Sequence, residues 1–224
     1  MKMLLRICVM AGFPFVTAGC ASGSNDAMHI GSLLFQSITG HAAMITREQA
    51  AAIPYASIGV QLGSSAQGLA VLGKGVGDDR YWYSGNSILF VTRAGRVTRT
   101  VGLPYDLSHA DARSGSAPTA PGTASHFVIT LDFPDLGAFN VVANCADSDE
   151  GPATISILSA NIETRHHIER CEAPELDWSF ENEFWLDAKT GYVWQSIQNI
   201  HPRSSLLTVT VFRPESSPRP QAAQ

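Results

Sequence analysis

The chain has 224 residues and a formal net charge of −5, and its 45% apolar and 16% charged residues are typical of an ordinary globular protein. Its pI is near 5.8 and its few basic residues are mostly scattered, so it lacks the basic surface that nucleic-acid binding requires, and we expect no nucleic-acid partner. The length suits one domain or two.

The N-terminus predicts an export signal that ends at a lipidated cysteine. Residues 1–6 form a short segment that is basic through Lys2 and Arg6. Residues 7–16 form an apolar run too short to span a bilayer as a helix. The small residues before Cys20 resemble the lipobox of bacterial lipoproteins, in which cleavage precedes the cysteine and lipid is attached to its thiol and its new amino group. We therefore expect a signal peptide over residues 1–19 and a lipid anchor on Cys20; an ordinary secretory signal is the alternative.

The residue after Cys20 bears on which membrane carries the anchor. An Asp there would resemble an inner-membrane retention signal, and this chain has Ala21. We expect the protein to sit on the outer membrane and to face the periplasm.

The remaining cysteines also indicate export. Once the signal is removed and Cys20 is lipidated, Cys145 and Cys171 are left. In an oxidising periplasm this pair predicts one disulfide closing a 25-residue loop, which would contribute about 3 kcal/mol to stability. Two buried free thiols are the alternative. No CxxC pair is present, so neither a redox motif nor a zinc ribbon is indicated.

The segment between the anchor and the first strand predicts a tether and short helices. Residues 20–30 begin with small polar residues typical of a flexible tether, and residues 32–38 can form a short helix. Thr46 and Gln49 fit a capping box for a second helix, which Pro54 would end.

From residue 55 onward the pattern alternates with the period of β-strands. Gly95 suits the tight turn of a central hairpin formed by residues 88–91 and 97–101. We predict a loop over residues 104–122, a hairpin loop over 187–191 and a disordered tail over 214–224. Strands are predicted over residues 55–62, 68–72, 81–83, 127–133, 139–143, 154–158, 161–171, 178–186, 192–199 and 206–212.

These ten to twelve short strands predict an all-β protein. We expect a single domain over residues 31–213, built as a mostly antiparallel, meandering sheet. Either a sandwich or a half-open barrel would satisfy the pattern, with one or two short helices at the N-terminus.

The search for catalytic or metal-binding motifs gives only weak patterns. Nucleophile-elbow, zincin, P-loop and dinucleotide-binding motifs are missing from the sequence. His166 and His167 are adjacent, so on a strand they point to opposite faces and cannot easily share a metal. Asp147 and Asp149 are predicted to lie in a solvated acidic turn. We expect no catalytic residue, no metal and no cofactor other than the lipid.

Aromatic and arginine side chains are the best candidates for a contact surface. Aromatic rings beside hydrogen-bonding side chains can stack on sugars, and arginines can bind an acidic polymer or a partner's carboxylates. Core packing of the rings and a solvated arginine edge are the alternatives. The predicted surface consists of Trp82, Arg93, Arg96, Arg99, Trp185 and Trp194.

Three blocks of sequence resemble one known family. Residues 82–85, 92–97, 100–103 and 106–107 are similar to the central motif of the YjbF/GfcB lipoproteins, which are associated with group 4 capsule and exopolysaccharide operons. Asp187 with residues 190–198 resembles a second block of that family, and residues 46–55 resemble the run before its first strand. The likeness covers about residues 44–212 together with the lipobox.

The resemblance implies a non-catalytic outer-membrane lipoprotein that assists polysaccharide secretion. Its implied partner is an outer-membrane β-barrel protein encoded nearby, and its implied action is to bind the polymer or that partner. A periplasmic polysaccharide-modifying enzyme and a purely structural lipoprotein are the alternatives.

Overall fold

A computed structural model describes residues 45–85, 87–114 and 125–215. The predicted signal peptide, Cys20, the tether and the helix over residues 32–38 lie outside the described residues. So do residues 115–122 of the predicted loop and residues 216–224 of the predicted tail. No helix among the described residues is long and apolar enough to cross a membrane.

The predicted capping box begins the one α-helix of the described chain. Helix α1 spans Arg47–Ala51. The Gln49 backbone N–H donates to the Thr46 hydroxyl at 3.3 Å, and the Thr46 N–H donates to the Gln49 side-chain oxygen at 2.9 Å. The prediction for this helix is confirmed.

Twelve strands make up nearly all the remaining regular structure. They are β1 (Ser57–Leu62), β2 (Gly68–Val76), β3 (Asp79–Ser84), β4 (Ile88–Arg93), β5 (Arg96–Val101), β6 (His109–Ser114), β7 (Ser125–Phe133), β8 (Ala138–Ile157), β9 (Ala160–Ala173), β10 (Trp178–Asp187), β11 (Val193–Gln198) and β12 (Leu207–Arg213).

The strands form one antiparallel meander that almost closes on itself. Each strand pairs with its neighbours in the sequence, and β12 returns to pair with β1. Among the described strands, β5 and β6 are the one pair of sequence neighbours that share no ladder, so they are the two edges of the sheet. The all-β, antiparallel, meandering prediction is confirmed, and of its two forms the nearly closed barrel is the one observed.

The edge of β5 is covered by a side chain instead of a strand. The Gln198 amide at the end of β11 donates to the Gly95 carbonyl oxygen at 3.0 Å and accepts from the Val97 N–H at 2.9 Å. Gly95 permits this approach, because a Cβ there would lie 2.4 Å from the Cβ of Val193. These contacts bring β5 onto β11 across the inside of the sheet.

A tight turn joins the two edges where β5 ends. The Asp106 carboxylate accepts from the Thr100 hydroxyl at 2.8 Å and from the backbone N–H groups of Gly102 and Leu103 at 2.9 and 3.1 Å. The Thr100 N–H donates to the Leu107 carbonyl oxygen at 2.8 Å. Residues 100–103 and 106–107, which belong to the central motif that resembles the family, therefore fix the turn at which the sheet comes closest to closing.

The core lies inside the curved sheet and contains the predicted disulfide. Cys145 and Cys171 face each other on β8 and β9, and both are buried. They are bonded with a Cα–Cα distance of 4.1 Å. The disulfide prediction is confirmed over the alternative of two free thiols.

Two strand predictions are corrected. The predicted loop over residues 104–122 contains β6, whose sequence has no β-branched residue and therefore carries little strand signal. Its Ala110 is buried opposite Leu131 of β7. The acidic residues Asp147 and Asp149 do not form a turn, because β8 continues through them with a bulge and remains paired with β9.

Candidate binding sites

The three predicted surface arginines do not form one surface. Arg93 binds Asp79 at 2.8 Å and Asp111 of β6 at 3.2 Å, so it spans the open edge of the sheet. The hydrogen bond to Asp79 is the largest cause of the raised pKa of Arg93. Arg99 is exposed and donates to the Ser108 carbonyl oxygen at 2.9 Å. Both side chains help join β4 and β5 to the segment that leads into β6.

Arg96 is directed into the molecule, which corrects its placement on the predicted surface. It forms an ion pair with Glu169 of β9, and the side chains of the two residues are only 16% and 9% exposed. The guanidinium carbon lies 5.6 Å from the ring centre of Phe127 and 5.2 Å from that of Phe184. Asn182 donates to the second Glu169 oxygen at 3.4 Å. Arg96 thus links β5 to β9 through charge, hydrogen-bonding and cation–π contacts.

Trp82 is also a core residue and not part of an outer surface. It is 5% exposed, and its indole N–H donates to the Thr92 hydroxyl at 2.8 Å. Along β3, Arg80 and Trp82 share one face because strand residues two apart point the same way. That face borders a cavity that encloses part of Trp82.

This inner cavity has a volume of about 470 Å³ and is lined by both Trp82 and Trp194. Tyr192 lies beside Trp194, with ring centres 5.2 Å apart and planes at 76°. The remaining polar lining comes from β3, β4, the 187–191 loop, β11 and the segment after β12. It consists of Asp78, Arg80, Thr92, Thr190, Gln195, Ser196 and Glu215.

The hairpin loop before β11 holds Trp194 in place. The Asp187 carboxylate accepts from the Trp194 indole N–H at 3.3 Å and from the Thr190 backbone N–H and hydroxyl, both at 2.9 Å. The bonds from Thr190 come first among those that lower the pKa of Asp187 to about 2. The Asp187 carboxyl group is therefore ionised at neutral pH, and it binds the Trp194 indole as a carboxylate.

An ion pair lies at the cavity edge. The Arg80 Nε donates to Glu215 at 2.5 Å, and Arg80 also donates to the Gly77 carbonyl oxygen at 2.9 Å. Partial burial, followed by the Glu215 charge, raises the pKa of Tyr192, so its phenol stays protonated. The sequence gives one indication that Arg80 lies near this cavity, namely its position two residues before Trp82 on the same strand. It gives no such indication for Glu215.

A larger concave surface covers the face of the sheet opposite the core. Its volume is about 1270 Å³, and it crosses the six strands from β6 to β11, a width of roughly 24 Å at the usual strand spacing. The register aligns Arg113, Val128, Asn144, Glu172 and Ser179 in one row across the strands. We call this surface the outer groove.

A second row in the outer groove runs beside the first. It contains His126, Ala146, Arg170 and Glu181. Arg170 and Glu181 are 3.4 Å apart at an exposed position, so they remain available to solvent. The groove thus presents carboxylates, guanidinium groups and neutral hydrogen-bonding side chains along its length.

Trp185 lies beside the outer groove, two residues along β10 from Glu183, which lines it. Its indole stacks on the His166 ring with centres 4.7 Å apart and planes at 10°. Trp185 is carried by β10. His166 is bonded to Glu183, a groove residue on the same strand as Trp185, at 2.8 Å. Trp185 and His166 form a half-buried aromatic platform on the outside of the sheet.

His167 points to the opposite face from His166, as predicted. It contacts Asp147 of β8 at 3.1 Å and lies 3.9 Å from Asp149. The hydrogen bond to Asp147 is the largest cause of the raised pKa of His167. Within the described part of the chain, no three His, Cys, Asp or Glu side chains are grouped so that they could hold a metal ion.

Comparison with known proteins gives concordant matches. The family model described as group 4 capsule polysaccharide lipoprotein gfcB, YjbF matches residues 29–212. The uncharacterized lipoprotein GfcB of Escherichia coli (strain K12) is 23% identical over 218 residues, covering 94% of this chain and 99% of that protein. The crystal structure of the hypothetical lipoprotein YmcC from Escherichia coli (K12) matches with a TM-score of 0.66 at 22% identity, covering 88% of this chain and 100% of that one. At that identity the structural likeness shows the fold alone.

Proposed function

The chain belongs to the group 4 capsule polysaccharide lipoprotein family of GfcB and YjbF, and on this basis we propose that it assists capsule or exopolysaccharide secretion without catalysing a reaction. The family match over residues 29–212 confirms the resemblance found in the sequence. The proposed action is to bind the polymer, or an outer-membrane β-barrel partner, from the periplasmic side.

The lipid on Cys20 is proposed to hold the domain at the outer membrane. Ala21 in place of an Asp supports that membrane over the inner one. No cofactor besides the lipid is proposed. A Cys20→Ala variant should be lost from outer-membrane fractions, and its continued presence there would contradict the anchor.

The outer groove is the observation that carries polymer binding. An extended chain binds best where hydrogen-bonding groups repeat along a line, and the two rows across β6 to β10 provide such a line. Sugar rings combine apolar C–H faces with hydroxyl rims, so an aromatic platform beside polar side chains suits them. Trp185 on His166 supplies that platform beside the groove residue Glu183.

The mixed charge of the groove suits binding better than catalysis. A glycosidase needs two carboxyl groups facing each other across a cleft, about 5–10 Å apart. In the groove, Glu181 is paired with Arg170 and Glu183 with His166, which leaves Glu172 as the one groove carboxylate without an ion-pair partner among the described residues. The rival hypothesis, a polysaccharide-modifying enzyme, requires turnover of purified polymer, which we do not expect.

Cells producing variants of the full-length lipoprotein provide the test. Trp185→Ala should lower surface polysaccharide without lowering the amount of protein, because it removes the stacking platform. The matched control is Phe139→Ala, since Phe139 is 56% exposed on β8 and takes no part in the Trp185–His166 stack. Unchanged surface polysaccharide in Trp185→Ala would contradict the groove assignment.

A purely structural lipoprotein would give a different pattern. It would be recovered with its β-barrel partner whether or not polymer is present, and Trp185→Ala would leave polysaccharide unchanged. Pull-down of the lipidated protein with and without polymer separates that hypothesis from ours.

A further inference from the structure

We propose that the inner cavity, lined by Trp82, Tyr192 and Trp194 and edged by Arg80 and Glu215, is a second site that binds one uncharged sugar residue. The outer groove would hold an extended polymer, whereas the cavity would accept a single ring. The assignment rests on the proposed function only for the source of the sugar.

The aromatic side of the cavity is fixed before any ligand arrives. The Trp194 indole is held by Asp187 and the Trp82 indole by Thr92, through hydrogen bonds from their ring N–H groups. Rigid rings lose little conformational entropy on binding, so stacking of Trp194 on a sugar face contributes to affinity with little offset, while the 5% exposed Trp82 forms part of the cavity wall. Tyr192 packs edge-on against Trp194 and presents its hydroxyl as a further hydrogen-bonding group.

The size of the cavity suits a small ligand. Its volume of about 470 Å³ lies in the range of small-molecule sites, of roughly 300–1,000 Å³. The amide of Gln195 offers both donors and an acceptor to sugar hydroxyls, and the Thr92 hydroxyl, which accepts from the Trp82 N–H, can still donate. These groups converge with the rings from different strands.

The charges of the cavity select against an acidic sugar. The charged lining residues are one cation, Arg80, and two carboxylates, Asp78 and Glu215. Arg80 is already paired with Glu215 at 2.5 Å, so a ligand carboxylate would have to displace Glu215 and would face a second carboxylate at Asp78. An uncharged sugar can instead donate hydroxyls to the carboxylates and leave the ion pair intact.

Tryptophan fluorescence of the full-length protein in detergent provides the test. The probes are the methyl glycosides of glucose, galactose and mannose, with glucuronate and galacturonate as acidic counterparts. We expect a saturable change for at least one methyl glycoside, with a Kd on the order of 1 mM, and about tenfold weaker binding of the acids. Trp194→Phe should abolish the change, and Trp185→Phe, outside the cavity, should keep it.

A charge variant tests the selectivity itself. Glu215→Gln removes one carboxylate and frees Arg80, so the acidic sugars should gain about tenfold in affinity while the neutral ones change little. Absence of a saturable response to all three methyl glycosides, or a response that persists in Trp194→Phe, would overturn the proposal. Polymer binding that depends on Trp185 would be unaffected by either result, so failure here and failure of the proposed function are distinguishable.

Discussion

At the scale of single residues, the Gln198 amide occupies the place of a peptide group beside the β5 edge. It accepts from the Val97 N–H and donates to the Gly95 carbonyl. Gln198→Leu leaves both backbone groups without a partner, so we expect unfolding free energy to fall by about 2–5 kcal/mol, measured by urea denaturation. The matched control is Gln61→Leu, whose amide donates to the Ser65 carbonyl at a more exposed site, with an expected loss of about 1 kcal/mol. Equal losses in the two variants would contradict the edge-capping role of Gln198.

His167 gives a pH dependence with a defined sign. Its pKa is raised in the folded protein, chiefly by the hydrogen bond to Asp147. A raised pKa contributes stability that is fully present below the unfolded value of about 6.5 and is lost as pH rises through the folded pKa. Wild type should therefore lose stability relative to His167→Gln as pH rises from about 6 to 8, measured by denaturant midpoints. Parallel pH profiles for the two proteins would show that His167 makes no such contribution.

At the scale of elements, two short 3-10 turns join β7 to β8 and β9 to β10 in the same way. Pro134–Leu136 ends at Gly137 and Pro174–Leu176 ends at Asp177, both in the left-handed region with φ of 64° and 48°. A Cβ on Gly137 would meet no atom within 4 Å, so Gly137→Ala tests backbone strain alone. We expect it to lower the unfolding free energy by about 1–2 kcal/mol, whereas Asp177→Gly should lower it little or raise it. An unchanged unfolding free energy in Gly137→Ala would contradict the claim that the turn needs a left-handed backbone at this position.

How far the sequence predicts these elements depends on which signal each one carries. The central hairpin was predictable because β-branched residues flank a glycine turn, and the capping box at Thr46 because its hydrogen bonds are local. Strand β6 was not predictable from its own sequence, because its residues have little strand propensity. Ala110 is buried because β6 pairs with β7. The burial of Arg96 was also beyond prediction, because its partner Glu169 is 73 residues away along the chain. Long-range pairing decides such positions, and one sequence does not display it.

At the scale of the whole molecule, the Arg96–Glu169 ion pair ties the β5 edge to β9 across the inside of the sheet. Removing one member leaves a largely buried charge unpaired, so Arg96→Met should lower unfolding free energy by about 3–5 kcal/mol. The double variant Arg96→Met with Glu169→Leu should be less destabilised than Arg96→Met alone, because no charge then remains. A double-mutant cycle by chemical denaturation measures the coupling. A double variant at least as unstable as the single one would contradict the role of the pair.

The curved sheet also separates the two proposed binding regions. The outer groove lies on the face opposite the core, and the inner cavity opens among β3, β4, β11 and the segment after β12. Because Trp185 lies beside the first region and Trp194 lines the second, each can be altered without touching the other.

The central claim is that polymer binds along the outer groove, and direct binding of the purified lipoprotein to capsular polysaccharide tests it most directly. We predict saturable binding by wild type and by Phe139→Ala, at least tenfold weaker binding by Trp185→Ala, and an intermediate loss for Ser179→Arg, which places a bulky charge at the β10 end of the first row. Absence of binding by wild type, or equal affinity for wild type, Trp185→Ala and Ser179→Arg, would contradict it.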